Sequence, residues 1–346
     1  MRRHAVGVML LLLLGLLAVA GCDNGWSDSH GGPRTSTPGT PRGEGTIAHE
    51  ISEPAPTSLA QSARFLTYVP PKRAPQEMTL VSVPVMDAPV IDGRANEAFW
   101  TTAPAITTLD YSSQRPITIR SVFTAQEIFF LVTFPETTPS ETHKTWTWDP
   151  KEEVYREGPD REDVFIFKWS MSGNDVDLRL RDPEPHRGDI WFWKARRTNP
   201  AGFADDKWQS VSLTPGPSSR KIPSSRGSLH FQRWGDSGKP AWEEKFFFDY
   251  QGDRLSKYIP VQPEGSRADV RAKGVWSNKQ WTIEVGRKLN TGHDDDVVFR
   301  PGALHLFGVS CYAMAYDTPH ESWSQPLYRT GDVFDRLFLS LPEHRR

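Results

Sequence analysis

In Asp163-Val164-Phe165-Ile166-Phe167-Lys168-Trp169-Ser170-Met171, large apolar side chains recur at every second position. An extended strand with that period places Phe165, Phe167, Trp169 and Met171 on one face. The same kind of short run appears on both sides of it: TLVSVPVM (79–86), APVIDG (88–93), ITIRSVFTA (117–125), EIFFLVTF (127–134), VDLRL (176–180) and DIWFWKA (189–195). KWQSVSL (207–213), KFFFDY (245–250), ADVRAKGVW (268–276), QWTIEVGRKL (280–289), LHLFGVSCYAMAY (304–316) and DRLFLSL (335–341) continue it. Gly, Pro, Asp and Asn separate these runs, and 29 prolines in 346 residues disfavour long helices; NEAFWTTA (96–103) is the best helical candidate. Chain reversals are expected at Ala125-Gln126-Glu127 and at Ser277-Asn278-Lys279. The expected class is all-β: an antiparallel β-sandwich with long loops and a few short helices, forming one domain over residues 76–346.

The N-terminus reads differently. Arg2 and Arg3 precede an uncharged run to Ala20, too short to span a bilayer as a helix, which fits a secretory signal over residues 1–21. Val19-Ala20-Gly21-Cys22 resembles the lipobox of bacterial lipoproteins. That resemblance implies an acylated Cys22 and an anchor on the extracytoplasmic face of a membrane in the cell envelope. The alternative is an ordinary signal peptide that happens to contain a cysteine. Residues 22–75, rich in Gly, Pro, Ser and Thr, are expected to form a flexible tether.

Several function classes are disfavoured. With 41 basic and 43 acidic residues the chain shows no concentrated basic surface for nucleic acid. The motifs G-x-S-x-G, H-E-x-x-H, G-x-x-x-x-G-K-[ST], G-x-G-x-x-G and C-x-x-C-H are absent, so no catalytic residue is assigned and covalent haem attachment is excluded. Cys311, in an alternating apolar run, reads as a buried small side chain. Asp294-Asp295-Asp296 reads as a solvated turn rather than a calcium loop, since the spaced ligands of an EF-hand are missing.

Three segments carry the functional signal. Val90-Ile91-Asp92-Gly93 followed by Glu97 and Trp100 resembles the opening of sandwich domains related to family 9 carbohydrate-binding modules. THKTWTWDP, GPDREDVFIFKWSM and DIWFWKARRTNPAGFADDKW follow, and then ADVRAKGVWSNKQWTIEVGRKLNTGHDDDVVFRPGALHLFGVS. In that order they resemble the haem-binding domain of the ethylbenzene dehydrogenase γ-subunit family, from about Val85 to Leu341. The resemblance implies one non-covalent haem b. It further implies methionine and lysine axial ligands to the haem iron, and electron exchange with a molybdenum oxidoreductase by a subunit that is not itself catalytic.

Met171, ending its aromatic stripe, is the candidate thioether ligand, with core packing as the competing role. Lys288 aligns best with the second ligand; Lys273, Lys194 and Lys168 are alternatives, and the pattern Trp281, Ile283, Val285 puts Lys288 on the opposite face from them. His143, in THKTWTWDP, is a rival ligand or a brace for its loop, and Met314 is a further soft candidate, with core packing as the favoured role. Phe192 stands between Trp191 and Trp193 where relatives often have histidine. Trp191, Trp193, Trp146 and Trp148 are candidates for a haem pocket or for packing between sheets. Arg196 and Arg197 are candidates for pairing with haem propionates or for an exposed loop. The alternative function from another class is a carbohydrate-binding surface lipoprotein on the same scaffold.

Overall fold

The computed structural model describes residues 73–110, 113–179, 183–225, 227–312 and 334–343. In chain order the first elements are β1 (Glu77–Val81), β2 (Val83–Pro84), α1 (Ala98–Thr102), β3 (Ala105–Leu109), β4 (Pro116–Phe123) and β5 (Glu127–Pro135). Then come β6 (Trp146–Asp149), β7 (Val154–Glu157), β8 (Val164–Ser170), β9 (His186–Lys194), β10 (Asp205–Ser212), β11 (Arg220–Ser224) and β12 (Gly227–Gly235). The short strands β13 (Gly238–Lys239), β14 (Trp242–Glu244), β15 (Arg254–Leu255), β16 (Tyr258–Pro260) and β17 (Glu264–Gly265) follow. β18 (Arg271–Ser277), β19 (Gln280–Lys288), β20 (Leu304–Tyr312) and β21 (Arg336–Ser340) complete the set.

An eight-stranded sheet runs β1-β21-β20-β8-β9-β10-β12-β11, and a six-stranded sheet runs β18-β19-β5-β4-β2 with β3 beside β4. Their facing sides enclose the main core, so the all-β sandwich expected from the period-two runs is what forms. Pairing is antiparallel except for β1 with β21 and β2 with β4. The stripe Phe165, Phe167, Trp169 of β8 meets Phe130 and Phe134 of β5 across the interior, with ring centroids 5.0 to 6.1 Å apart. Both reversals fall where expected: β4 pairs with β5, and Ser277 faces Gln280 across a two-residue turn. α1 lies within the expected helical segment.

Three expected strands are not strands. Residues 88–93 form a loop because the amides of Asp92 and Gly93 donate to the Glu284 carboxylate on β19, at 3.0 and 2.7 Å, rather than to a ladder. Trp100 adds its indole N–H to the same carboxylate at 3.0 Å, so Val90-Ile91-Asp92-Gly93 and Trp100 fasten the N-terminal segment to the outer side of the six-stranded sheet. Residues 176–179 pass over β8, where Leu178 accepts a hydrogen bond from the buried Lys168 amine. Residues 245–250 are irregular, and their rings lean on β6 and β7. Conversely, Trp146–Asp149, read as a loop, pairs with β7 and β15.

The signal segment, Cys22, the tether up to residue 72 and Met314 lie outside the described residues. Among the described residues no helix is long and apolar enough to cross a membrane.

Candidate functional site

Met171 directly follows β8 and packs, half-buried, against the rim of the main core. Its N–H donates to the Arg187 carbonyl at 2.9 Å, and its thioether has no polar contact among the described residues. Behind it the interior is filled by rings. Trp169 and Trp191 lie 5.2 Å apart, and Phe299, from the loop after β19, closes on Trp169 at 4.9 Å. The indole N–H groups of Trp169 and Trp191 are buried there without an acceptor.

β19 ends at the same mouth of the sandwich. Period two turns Arg287 inward, where its fully buried guanidinium donates to Asp189 at 2.5 Å and sits 4.8 Å from the centre of the Trp191 ring. Lys288 therefore begins on the outer face and is exposed, with no ion pair among the described residues. Leu289 then returns to the rim, and its carbonyl accepts the Phe299 N–H at 2.9 Å.

The other candidates lie elsewhere. Arg196 and Trp193 belong to the far end of β9, which pairs with the start of β8; β8 alone puts about 20 Å between the two ends. There Trp193 meets Trp281 at 4.8 Å and donates to Asn199 at 3.1 Å, while Arg196 donates to the Tyr258 carbonyl at 2.8 Å. Arg197 pairs with Glu162, and His143 meets Tyr258 beside them at a tilt, 5.5 Å between ring centres. Burial, reinforced by the Arg197 charge, holds the His143 imidazole well below its usual pKa, so it is neutral. Lys194 is tied to Asp205 at 2.8 Å, Lys273 donates to the Asn199 carbonyl at 3.0 Å, and Lys168 is engaged by Leu178. Trp146 and Trp148 stand on the small β15-β6-β7 sheet.

A haem b asks this mouth for two donors on opposite sides of the iron and for room between them. Met171 supplies a suitable thioether. The buried cation of this end, Arg287, does not lose its proton and cannot ligate iron. Among the described residues Met171 is therefore the one thioether donor at this mouth. A cavity of about 280 Å³ between β1, β20, β21 and residues 176–179 is lined by no thioether, imidazole or amine.

A second feature of this end escaped the sequence reading. Asp189, Asp206, Asp236 and Asp296 are all buried, and only Asp294 of the acidic run is fully exposed. Burial, then the neighbouring Asp189 and Asp236, push Asp206 well above the carboxylate range. Asp236 is pushed up to about 9 by burial and then by Asp189, and Asp296 to about 7 by burial against the opposing pull of Arg287. The available signal was period two: on β9 the spacing that turns Trp191 and Trp193 inward also turns Asp189 inward.

A family model described as ethylbenzene dehydrogenase matches residues 75–318. Among solved structures, a family 9 carbohydrate-binding module from Caldicellulosiruptor kristjanssonii in complex with glucose is 8% identical, covering 78% of this chain and 99% of that one, with a TM-score of 0.35. A family 9 module from that organism in complex with cellotriose is 9% identical, covering 78% and 95%, with a TM-score of 0.33. No curated protein matches the chain.

Proposed function

Because the chain belongs to the ethylbenzene dehydrogenase family, we propose that it is a haem b protein acting in electron transfer. In this reading a lipid on Cys22 holds it in the bacterial cell envelope, where it exchanges electrons with an oxidoreductase of the molybdenum type. The observation that carries the reading is Met171: a thioether without a competing polar contact, at the open end of an aromatic stripe, within the matched segment. When bound, a haem supplies a one-electron couple whose potential follows from axial ligands and burial. The chain's own part is to offer the Met171 sulfur at the edge of the ring-filled core.

The test is the absorption spectrum of the purified protein, with haemin supplied, before and after dithionite. A sharp reduced α-band and a b-type pyridine haemochrome are expected, with the band lost or shifted in Met171→Ala. The same spectrum in Lys288→Ala decides the second ligand: an unchanged band excludes Lys288. A folded protein that takes up no haemin overturns the reading.

The carbohydrate reading has its own observation. Trp146, Trp148 and Tyr155 gather rings from residues 245–250, of which Phe246, Phe248 and Tyr250 are 59%, 90% and 57% exposed. A protein that takes up no haemin and whose tryptophan fluorescence responds to soluble glucans would belong to that class.

A further inference from the structure

We propose that the inward faces of β9, β10 and β12, closed by the loop after β19, form a binding site for one divalent cation of the calcium class. This site is independent of the haem reading and uses none of its ligands.

The side chains arrive from four places. Asp189 lies on β9, Asp206 on β10, and Asp236 just beyond β12, where its N–H donates to the Asp206 carbonyl at 3.2 Å. Asp295 and Asp296 come down from the loop. Oxygens of Asp189, Asp206 and Asp296 lie within 4.8 Å of one another, as do those of Asp236, Asp295 and Asp296, so Asp296 joins the two groups.

An acidic cluster alone would not mark a site; the unpartnered oxygens do. Asp206 is 0% exposed and Asp236 4%, and no backbone, hydroxyl, amide or cationic donor reaches either oxygen of either. Asp189 Oδ1 and Asp296 Oδ2 are likewise buried and unpartnered. Arg287 takes the remaining oxygens of Asp189 and Asp296 at 2.5 and 3.2 Å, and His293, held by Asp269, lies 3.9 Å from Asp296 at the rim. In ionised form the five cluster side chains carry more negative charge than Arg287 and the neighbouring His293 can balance, and a buried unpaired carboxylate costs several kcal/mol. The adjacent Asp205 shows the contrast: Lys194, Lys207 and Arg267 surround it at 2.8, 2.9 and 2.8 Å.

The donor set is all oxygen, which selects a hard cation. Calcium accepts roughly six to eight oxygens in irregular geometry, whereas magnesium demands a near-octahedral shell and retains waters. The half-exposed Asp295 leads from solvent into the cluster. A bound ion would pin the loop carrying Phe299 to the eight-stranded sheet.

The experiment is calcium titration by calorimetry of the purified protein after EDTA treatment and dialysis, with thermal unfolding in parallel. About one equivalent of Ca²⁺ per chain is expected, with a midpoint that rises on Ca²⁺ and falls again with EDTA. Asp206→Asn is expected to weaken binding at least tenfold. The double variant Asp206→Asn, Asp236→Asn is expected to ignore both Ca²⁺ and EDTA and to melt above the stripped wild type. No heat and no change in midpoint for the wild type would overturn the proposal, as would a double variant that keeps the calcium response. If the double variant does not fold, the wild-type titration alone decides.

Discussion

Asp205 and Asp206 are neighbours in the chain with opposite surroundings, because β10 turns one side chain to each face of its sheet. On the same outer face His186 accepts a hydrogen bond from Gln209 at 3.2 Å and donates to the Glu184 carbonyl at 2.8 Å, which makes its ring neutral. Burial, then the Lys168 charge, push its pKa from 6.5 down to about 4. The unfolded imidazole therefore binds a proton that the folded one refuses between those two values, and stability falls as pH falls through that window. Between pH 7 and pH 4 the loss from this group is about 3 kcal/mol. Urea unfolding at both pH values checks it: His186→Gln should lose that much less than the wild type, and equal losses would refute it. Such environments are legible only in part. The stripe ending in Met171 could be read from spacing, but Asp189 looks like any polar residue until its strand neighbours show which face is the core.

The turn between β18 and β19 was legible as a reversal, though not in its geometry. Asn278 and Lys279 have φ of 50° and 61°, the pair of left-handed residues that a two-residue hairpin requires. Asparagine tolerates that region, whereas lysine pays roughly 1–2 kcal/mol for it. Lys279→Gly is therefore expected to stabilise the protein by about 0.5–1 kcal/mol in denaturant unfolding, and a loss of stability would contradict the turn assignment. A close approach constrains the same hairpin at Gly274: a Cβ there would lie 2.4 Å from the Trp193 ring, so β18 accepts no larger residue at that point without moving the ring. The segments 88–93 and 245–250 were misread for a common reason. Their apolar residues suit a strand, but their partners, Glu284 and the rings of β6 and β7, are too distant in sequence for a local pattern to reveal.

At the scale of the molecule, Glu284 joins the N-terminal segment to the six-stranded sheet through two amides and an indole. Glu284→Ala leaves those donors without an acceptor and is expected to cost about 3 kcal/mol. Hydrogen exchange should then rise first at residues 88–103, and protection unchanged there would argue against the fastening. The sandwich class and most of its large strands were legible because burial between two sheets imposes a period on every strand. Whether Lys288 could serve as the second ligand of the proposed haem was not, because the spacing that places it says only that it starts on the outer face. The pairing of β1 with β21, Glu77 opposite Arg336 and Val81 opposite Ser340, has a consequence in time. β21 is an interior strand of the eight-stranded sheet and comes last in sequence among the described strands. A nascent chain ending before Arg336 holds β1 and β20 as two raw edges with nothing between them. The large sheet is therefore joined across β1 and β20 only once β21 is made, by pairing segments that lie about 260 residues apart in the chain.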